Sequence, residues 1–187
     1  MKTICFLLVV LLFGTNSWAD ACKMNTGFPN TNKEGKVKGK KIKAGDPTSA
    51  VKYYDTANID TLMGDNNIVL VDTRPKELFD TCTIKGAVNH PWAAQGKGDK
   101  NKLTKADVQK YVDAGKTVIY FCNSLKCYRS YNAALQSTCD WGMPAGKIGW
   151  LGKGAIGALK KNKAVVDGKK CDALFLAVRG GKKFDKK

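Results

Sequence analysis

The sequence predicts an α/β domain with a mainly parallel central sheet flanked by helices. Short β-branched and aromatic runs alternate with segments of helical periodicity from Val51 to Lys160, the pattern of strand–helix–strand units. Two of the runs, Ile68-Val69-Leu70-Val71 and Thr117-Val118-Ile119-Tyr120-Phe121, are almost wholly apolar, as in strands covered on both faces. A cysteine, Cys122, directly follows the second run, at the carboxyl edge where open parallel sheets bind their ligands.

Taken along the chain, Val51 to Tyr54 suits a short edge strand and Ile59 to Met63 a short helix ended by Gly64. Ile68 to Val71 is a buried strand, and Pro75 to Phe79 a helix with proline in its first turn. Ala87-Val88-Asn89 is a brief strand stopped by Pro91. Thr104-Lys105-Ala106-Asp107 opens a helix in which Val108, Tyr111 and Val112 share a face, with Gly115 just past its end. Thr117 to Phe121 is the clearest strand of the chain. Ser130 to Thr138 reads as the next helix, Ile148 to Leu151 as a last strand and Gly154 to Lys160 as a last helix.

Residues 1–19 have the form of a secretory signal, one early lysine, the apolar run Ile4 to Phe13 and a small-residue exit at Ser17 and Ala19. The run is too short to span a bilayer, and no second apolar stretch approaches bilayer length. Export is therefore the expectation, to the periplasm if the source is a Gram-negative bacterium, with no transmembrane segment in the mature chain. Residues 20–45 form a basic, irregular arm, 46–165 the domain, and 166–187 a basic extension. The 168 residues left after cleavage suffice for one domain with its own core.

The formal charge of +16 is spread over lysine runs such as 36–43 and 182–187, which read as solvated tails. A positive protein collects anions. Nucleic acid is disfavoured by export and by basic stretches without interleaved aromatics or zinc-finger spacing.

Of seven cysteines, six lie outside the apolar run: Cys22, Cys82, Cys122, Cys127, Cys139 and Cys171. Six allow 15 full pairings. Cys82, Cys139, Cys171 and Cys22 are expected to supply structural disulfides, unpaired by the sequence, since Cys122 and Cys127 crowd one loop. One histidine and no Cys-x-x-Cys pair disfavour a structural metal.

The loop Cys122-Asn123-Ser124-Leu125-Lys126-Cys127-Tyr128-Arg129-Ser130 is the candidate site. A turn between a buried strand and a helix can aim successive backbone N–H groups inward. Such a cradle lowers the thiol pKa of Cys122 from its free value of roughly 8.5 and makes it a nucleophile. Asn123, Ser124, Leu125, Lys126, Cys127, Tyr128 and Arg129 are the candidate substrate-binding residues, with Lys126 and Arg129 adding positive charge for an anionic substrate.

Several landmarks resemble the rhodanese family. Val69-Leu70-Val71-Asp72-Thr73-Arg74-Pro75 with Glu77-Leu78-Phe79 looks like its Asp-x-Arg segment, and Ile84-Lys85-Gly86-Ala87-Val88-Asn89 like its glycine turn and strand. Val118 to Cys122 looks like the strand into the active cysteine, Arg129-Ser130 like the next helix start, and Trp150-Leu151-Gly152-Lys153-Gly154 like the late strand and turn. The order of the five covers about residues 50–161. The resemblance implies a rhodanese-like fold and sulfur transfer through a persulfide on Cys122, with no metal or organic cofactor. It implies a small anionic donor such as thiosulfate, or a protein persulfide, and a thiol acceptor. Asp72 and Arg74 then read as structural ion-pair partners near the loop.

Two departures from that pattern stand out. Six residues separate Cys122 from Arg129, a longer cradle than the family's. His90 precedes proline where an apolar residue is usual, and reads as a loop residue rather than an acid–base group. Cys127 has three readings: a resolving thiol for a Cys122 persulfide, half of a disulfide with a distant cysteine, or a small loop residue. Alternative functions are a non-enzymatic persulfide carrier, thiol–disulfide exchange through Cys122 and Cys127, and a catalytically silent domain. A phosphatase or arsenate reductase is disfavoured by loop length and by the lack of an acidic residue in the loop.

Overall fold

The computed structural model describes residues 22, 50–93, 102–125, 127–162, 165–168 and 171. In chain order these contain β1 (Lys52–Tyr54), α1 (Ile59–Gly64), β2 (Ile68–Asp72), α2 (Lys76–Thr81), β3 (Thr83–Ile84) and β4 (Val88–Asn89). They continue with α3 (Lys105–Asp113), β5 (Thr117–Phe121), α4 (Tyr128–Leu135), β6 (Ile148–Leu151), α5 (Gly154–Lys161) and β7 (Val166–Asp167). Five strands form one parallel sheet in the order β1-β6-β5-β2-β4. Residues 1–19 and most of the basic arm lie outside the described residues, as does Lys126.

The period-2 alternation of β5 divides the core. Val118 and Tyr120 face one layer with Val69, Val71, Ile148 and Trp150, covered by Val108 of α3 and by Ala133, Ala134 and Leu135 of α4. Ile119 and Phe121 face the other with Leu70 and Leu151, covered by Ile59 and Leu62 of α1 and by Ala155, Ala158 and Leu159 of α5. Both faces of the central strands are buried, which is why their sequences read as unbroken apolar runs.

Local chemistry sets the helix ends. Thr104 and Asp107 form a reciprocal capping box on α3, and Gly115 takes a φ of 77° just beyond its end, a conformation a side chain would resist. α4 starts at Tyr128, two residues before the start expected at Ser130. Cys127 is extended at its N-cap (φ −97°, ψ 115°), so the loop ends sooner than the apolar pattern suggested. The end also differs from a plain helix to Thr138, because Gln136–Asp140 form a π-helical turn. There the Ser137 hydroxyl donates to the Ala133 carbonyl, 2.9 Å, and meets the Tyr120 hydroxyl at 2.7 Å.

The described residues of the 166–187 extension make contact with the domain. β7 pairs antiparallel with β3, a ribbon too short to show as a sequence pattern, and Cys171 is bonded to Cys82. Cys22, from the basic arm, is bonded to Cys139 beyond α4. Cys22 and Cys171 are thus tied covalently to the domain.

A surface strap joins the turn before α5 to the end of β1. Lys153 Nζ lies 2.8 Å and 3.0 Å from the two carboxylate oxygens of Asp55, and its hydrogen bond holds the Asp55 carboxyl below the ordinary value of 3.8. The folded pKa is lower than the unfolded one, so the contribution is complete above the unfolded value and is lost as pH falls through the folded value. Asp55→Asn should lower the melting temperature near neutral pH by the equivalent of about 1 kcal/mol or less, as for partly exposed pairs. Melting curves should show that gap closing as pH falls through the lowered folded value, where Asp55 becomes protonated in both states.

Candidate active site

β2 and β5 lie side by side in register, Asp72 opposite Phe121. After β2 the chain goes to β4 on one side, and after β5 it goes to β6 on the other. Their carboxyl ends therefore mark the topological switch point of the sheet, where connections diverge and leave a crevice. Thr73 and Cys122 are the first residues beyond it. The Thr73 backbone N–H and hydroxyl both donate to the Phe121 carbonyl, at 3.0 and 2.9 Å, closing the two strand ends together.

Cys122 is 2% exposed, and its sulfur is bonded to that of Cys127, with 6.1 Å between their Cα atoms. The Cys127 N–H donates to the Ser124 carbonyl at 2.9 Å, so the segment between the cysteines turns back on itself. From behind, the Ala155 and Ile156 N–H groups donate to the carbonyls of Cys122 and Asn123, at 2.9 and 3.0 Å. That contact requires Gly154, whose φ is 55° and where a Cβ would overlap the Cys122 carbonyl oxygen.

Arg74 supports the loop from the β2 side with no exposed surface. Its Nε donates to Asp72 Oδ1 at 2.9 Å and one terminal nitrogen to Asp72 Oδ2 at 2.6 Å, and that nitrogen also donates to the Cys82 carbonyl. The other terminal nitrogen donates to Asn123 Oδ1 at 2.9 Å. Asp72 also accepts from the Arg74 backbone N–H and the Thr83 hydroxyl. The Asp72–Arg74 pair is thus a buried structural ion pair that reaches the loop directly.

The remaining candidate residues separate. Leu125 packs against the core cluster that holds Trp150. Tyr128 stands edge-on to Trp92, ring centroids 6.3 Å apart, and Trp92 Nε1 donates to Gln136 at 2.8 Å. Arg129, on α4, lines a pocket of about 510 Å³ whose wall includes Trp92, Pro75, Pro91 and Lys102. Cys122 and Cys127 are not among the residues lining it. The His90 ring meets Asp107 at 3.7 Å and Tyr111 at 3.5 Å, placing it against α3. Sequence reasoning had not singled out Trp92, Thr83 or Gly154's backbone approach. Trp92, an aromatic directly after Pro91, was the available signal for the first.

The model of the rhodanese-like domain matches residues 55–158. The chain belongs to the rhodanese-like domain family. Among solved structures it resembles a Saccharomyces cerevisiae homologue of single-domain rhodanese and of the Cdc25 phosphatase catalytic domain, with 18% identity over 66% of this chain and 91% of that one, TM-score 0.51. It also resembles the As-Sb reductase of Leishmania major, with 13% identity, 69% and 99% coverage and TM-score 0.51. A thiosulfate sulfurtransferase of Pseudomonas aeruginosa matches at 20% identity over 64% of this chain and 21% of that one, TM-score 0.47. No curated protein matches the sequence. The family match and the two likenesses with TM-score 0.51 establish the rhodanese-like fold.

Removing the Arg74 side chain strands a buried carboxylate. Arg74→Ala should lower stability by about 3–5 kcal/mol, the cost of breaking one side of a buried pair. Denaturant titration measures that loss. Limited proteolysis should show new cleavage between Cys122 and Tyr128, because Asn123 loses its donor.

Proposed function

We propose that this rhodanese-like chain is an exported sulfurtransferase that carries a sulfane sulfur as a persulfide on Cys122. The observation that carries the reading is the placement of Cys122 at the β2–β5 switch point with a second sulfur, Cys127, in bonding reach. Export is supported by the signal-like residues 1–19 and by the pairing of all six described cysteines as disulfides, which persist in oxidising compartments.

The reaction begins by reduction of Cys122–Cys127, in which a thiol reductant supplies two electrons and both cysteines become thiols or thiolates. The Cys122 thiolate attacks the outer sulfur of thiosulfate, the S–S bond of the donor breaks, and sulfite leaves with the electron pair. An acceptor thiolate then takes the outer sulfur of the persulfide and Cys122 leaves as thiolate. The short Cys122–Cys127 separation also supports a second outcome, because the Cys127 thiolate can attack the Cys122 sulfur and expel hydrosulfide, restoring the disulfide. A thiol–disulfide carrier is the alternative this disulfide favours, with no sulfane intermediate.

Intact-mass analysis of the reduced protein with thiosulfate separates these readings. Wild type should gain one sulfur on Cys122, and Cys122→Ser should fold yet gain none. Sulfur loading in Cys122→Ser overturns the proposal, and the lack of any sulfur gain in both the reduced wild type and Cys127→Ser favours the thiol–disulfide reading. Cys127→Ser should load normally and hold the persulfide longer, since the internal attack is removed.

A further inference from the structure

The pocket beside α4 has the composition of a ligand site rather than a packing defect. Its volume, about 510 Å³, lies in the range of small-molecule sites, roughly 300–1,000 Å³. Trp92, 4% exposed, and the rings of Pro75 and Pro91 supply apolar wall. Three cationic side chains and one carboxylate, Glu77, line it. Lys76 is occupied by Asp80, 2.7 Å away. The Lys102 and Arg129 side chains have no ion-pair partner among the described residues. A half-apolar wall with two unpaired cations fits a small organic anion.

The pocket is tied to the disulfide through consecutive residues. Cys127 caps α4, Tyr128 stacks edge-on to Trp92, and Arg129 enters the pocket wall. The two sulfurs differ in access. Cys122 is 2% exposed, whereas Cys127 is only half-buried. Thiol–disulfide exchange proceeds at the sulfur an incoming thiolate can reach, and the greater exposure of Cys127 favours that residue.

We propose that the pocket seats a low-molecular-weight thiol bearing carboxylates, held by Lys102 and Arg129 against Trp92, and that this thiol reduces the disulfide by attacking Cys127. The incoming thiolate forms a bond to the Cys127 sulfur, the Cys122–Cys127 bond breaks, and Cys122 leaves with the electron pair as thiolate. A second molecule of the thiol attacks the mixed disulfide, releasing Cys127 as thiolate and the oxidised thiol as its own disulfide. The inference rests on the disulfide and not on persulfide loading, so it stands or falls independently of the sulfurtransferase reading.

The test follows reduction of Cys122–Cys127 in the full chain by glutathione, an anionic thiol, and by 2-mercaptoethanol, a neutral one, with alkylation and peptide mass mapping. The glutathione rate should saturate with concentration. In Lys102→Gln and in Arg129→Gln the ratio of glutathione to 2-mercaptoethanol rates should fall about tenfold, the worth of one charge-assisted contact, and Arg129→Lys should recover much of it. A linear glutathione rate, or an unchanged ratio in both variants, overturns the pocket assignment. During reduction of the full chain, rapid alkylation and peptide mapping should find the transient glutathione mixed disulfide on Cys127. A mixed disulfide on Cys122 overturns the assignment of Cys127 as the attacked sulfur.

Discussion

Arg74 is wholly enclosed, and a guanidinium out of water is tolerated only when its donors are used. Asp72 takes the charge, the Cys82 carbonyl takes a second direction and Asn123 a third. Because these partners belong to β2, to the residue before β3 and to the loop after β5, one side chain fixes three segments relative to one another. Cys82 is further bonded to Cys171, and the β3–β7 ribbon lies alongside. The position of the cysteine loop therefore depends on a charge balanced inside the protein. Its stability contribution is less informative than its geometry, since buried pairs repay their desolvation only when every donor is placed.

The second support comes from the opposite side, where the turn into α5 presses its backbone against that of Cys122. Two N–H groups from α5 hold the carbonyls of Cys122 and Asn123, and Gly154 leaves the room for them. With Arg74 on one flank and α5 on the other, the loop has little freedom before Ser124. The residues after it are governed by Cys127, which is both disulfide partner and helix cap. The loop is thus fixed at its start and bonded across its end, with Cys122 buried and Cys127 half-buried.

Much of this could be read in the sequence, for a physical reason. Buried parallel strands must be apolar on both faces, so β2 and β5 announced themselves, and Thr104 with Asp107 marked a helix start by capping chemistry. The resemblance to the rhodanese family, rather than any local pattern, pointed to Asp72 and Arg74 as an ion pair near the loop. What was illegible depended on contacts distant in the chain. Nothing local pairs Cys22 with Cys139 or Cys82 with Cys171, separations of 117 and 89 residues. The two-residue strands β3 and β7 carry no periodicity to detect, and the π-helical turn at Gln136–Asp140 is set by side-chain partners on β5 and near Pro91. At the site, Cys122 was legible from its place after β5, whereas the partner of Cys127 required the loop's actual path.

The length of that loop changes what its arginine does. Cys127 spends its N–H on Ser124 and begins α4, so Arg129 is carried onto the helix and into the wall of the Trp92 pocket. Opening the disulfide releases the covalent restraint between Cys122 and Cys127 but leaves the Arg74 and α5 supports intact, because neither involves a sulfur atom. The restraint that reduction removes therefore lies on the far half of the loop, not on the supports of Cys122. In this architecture the disulfide ties the far half of the loop to Cys122, while the contacts from Arg74 and α5 hold its first half in place.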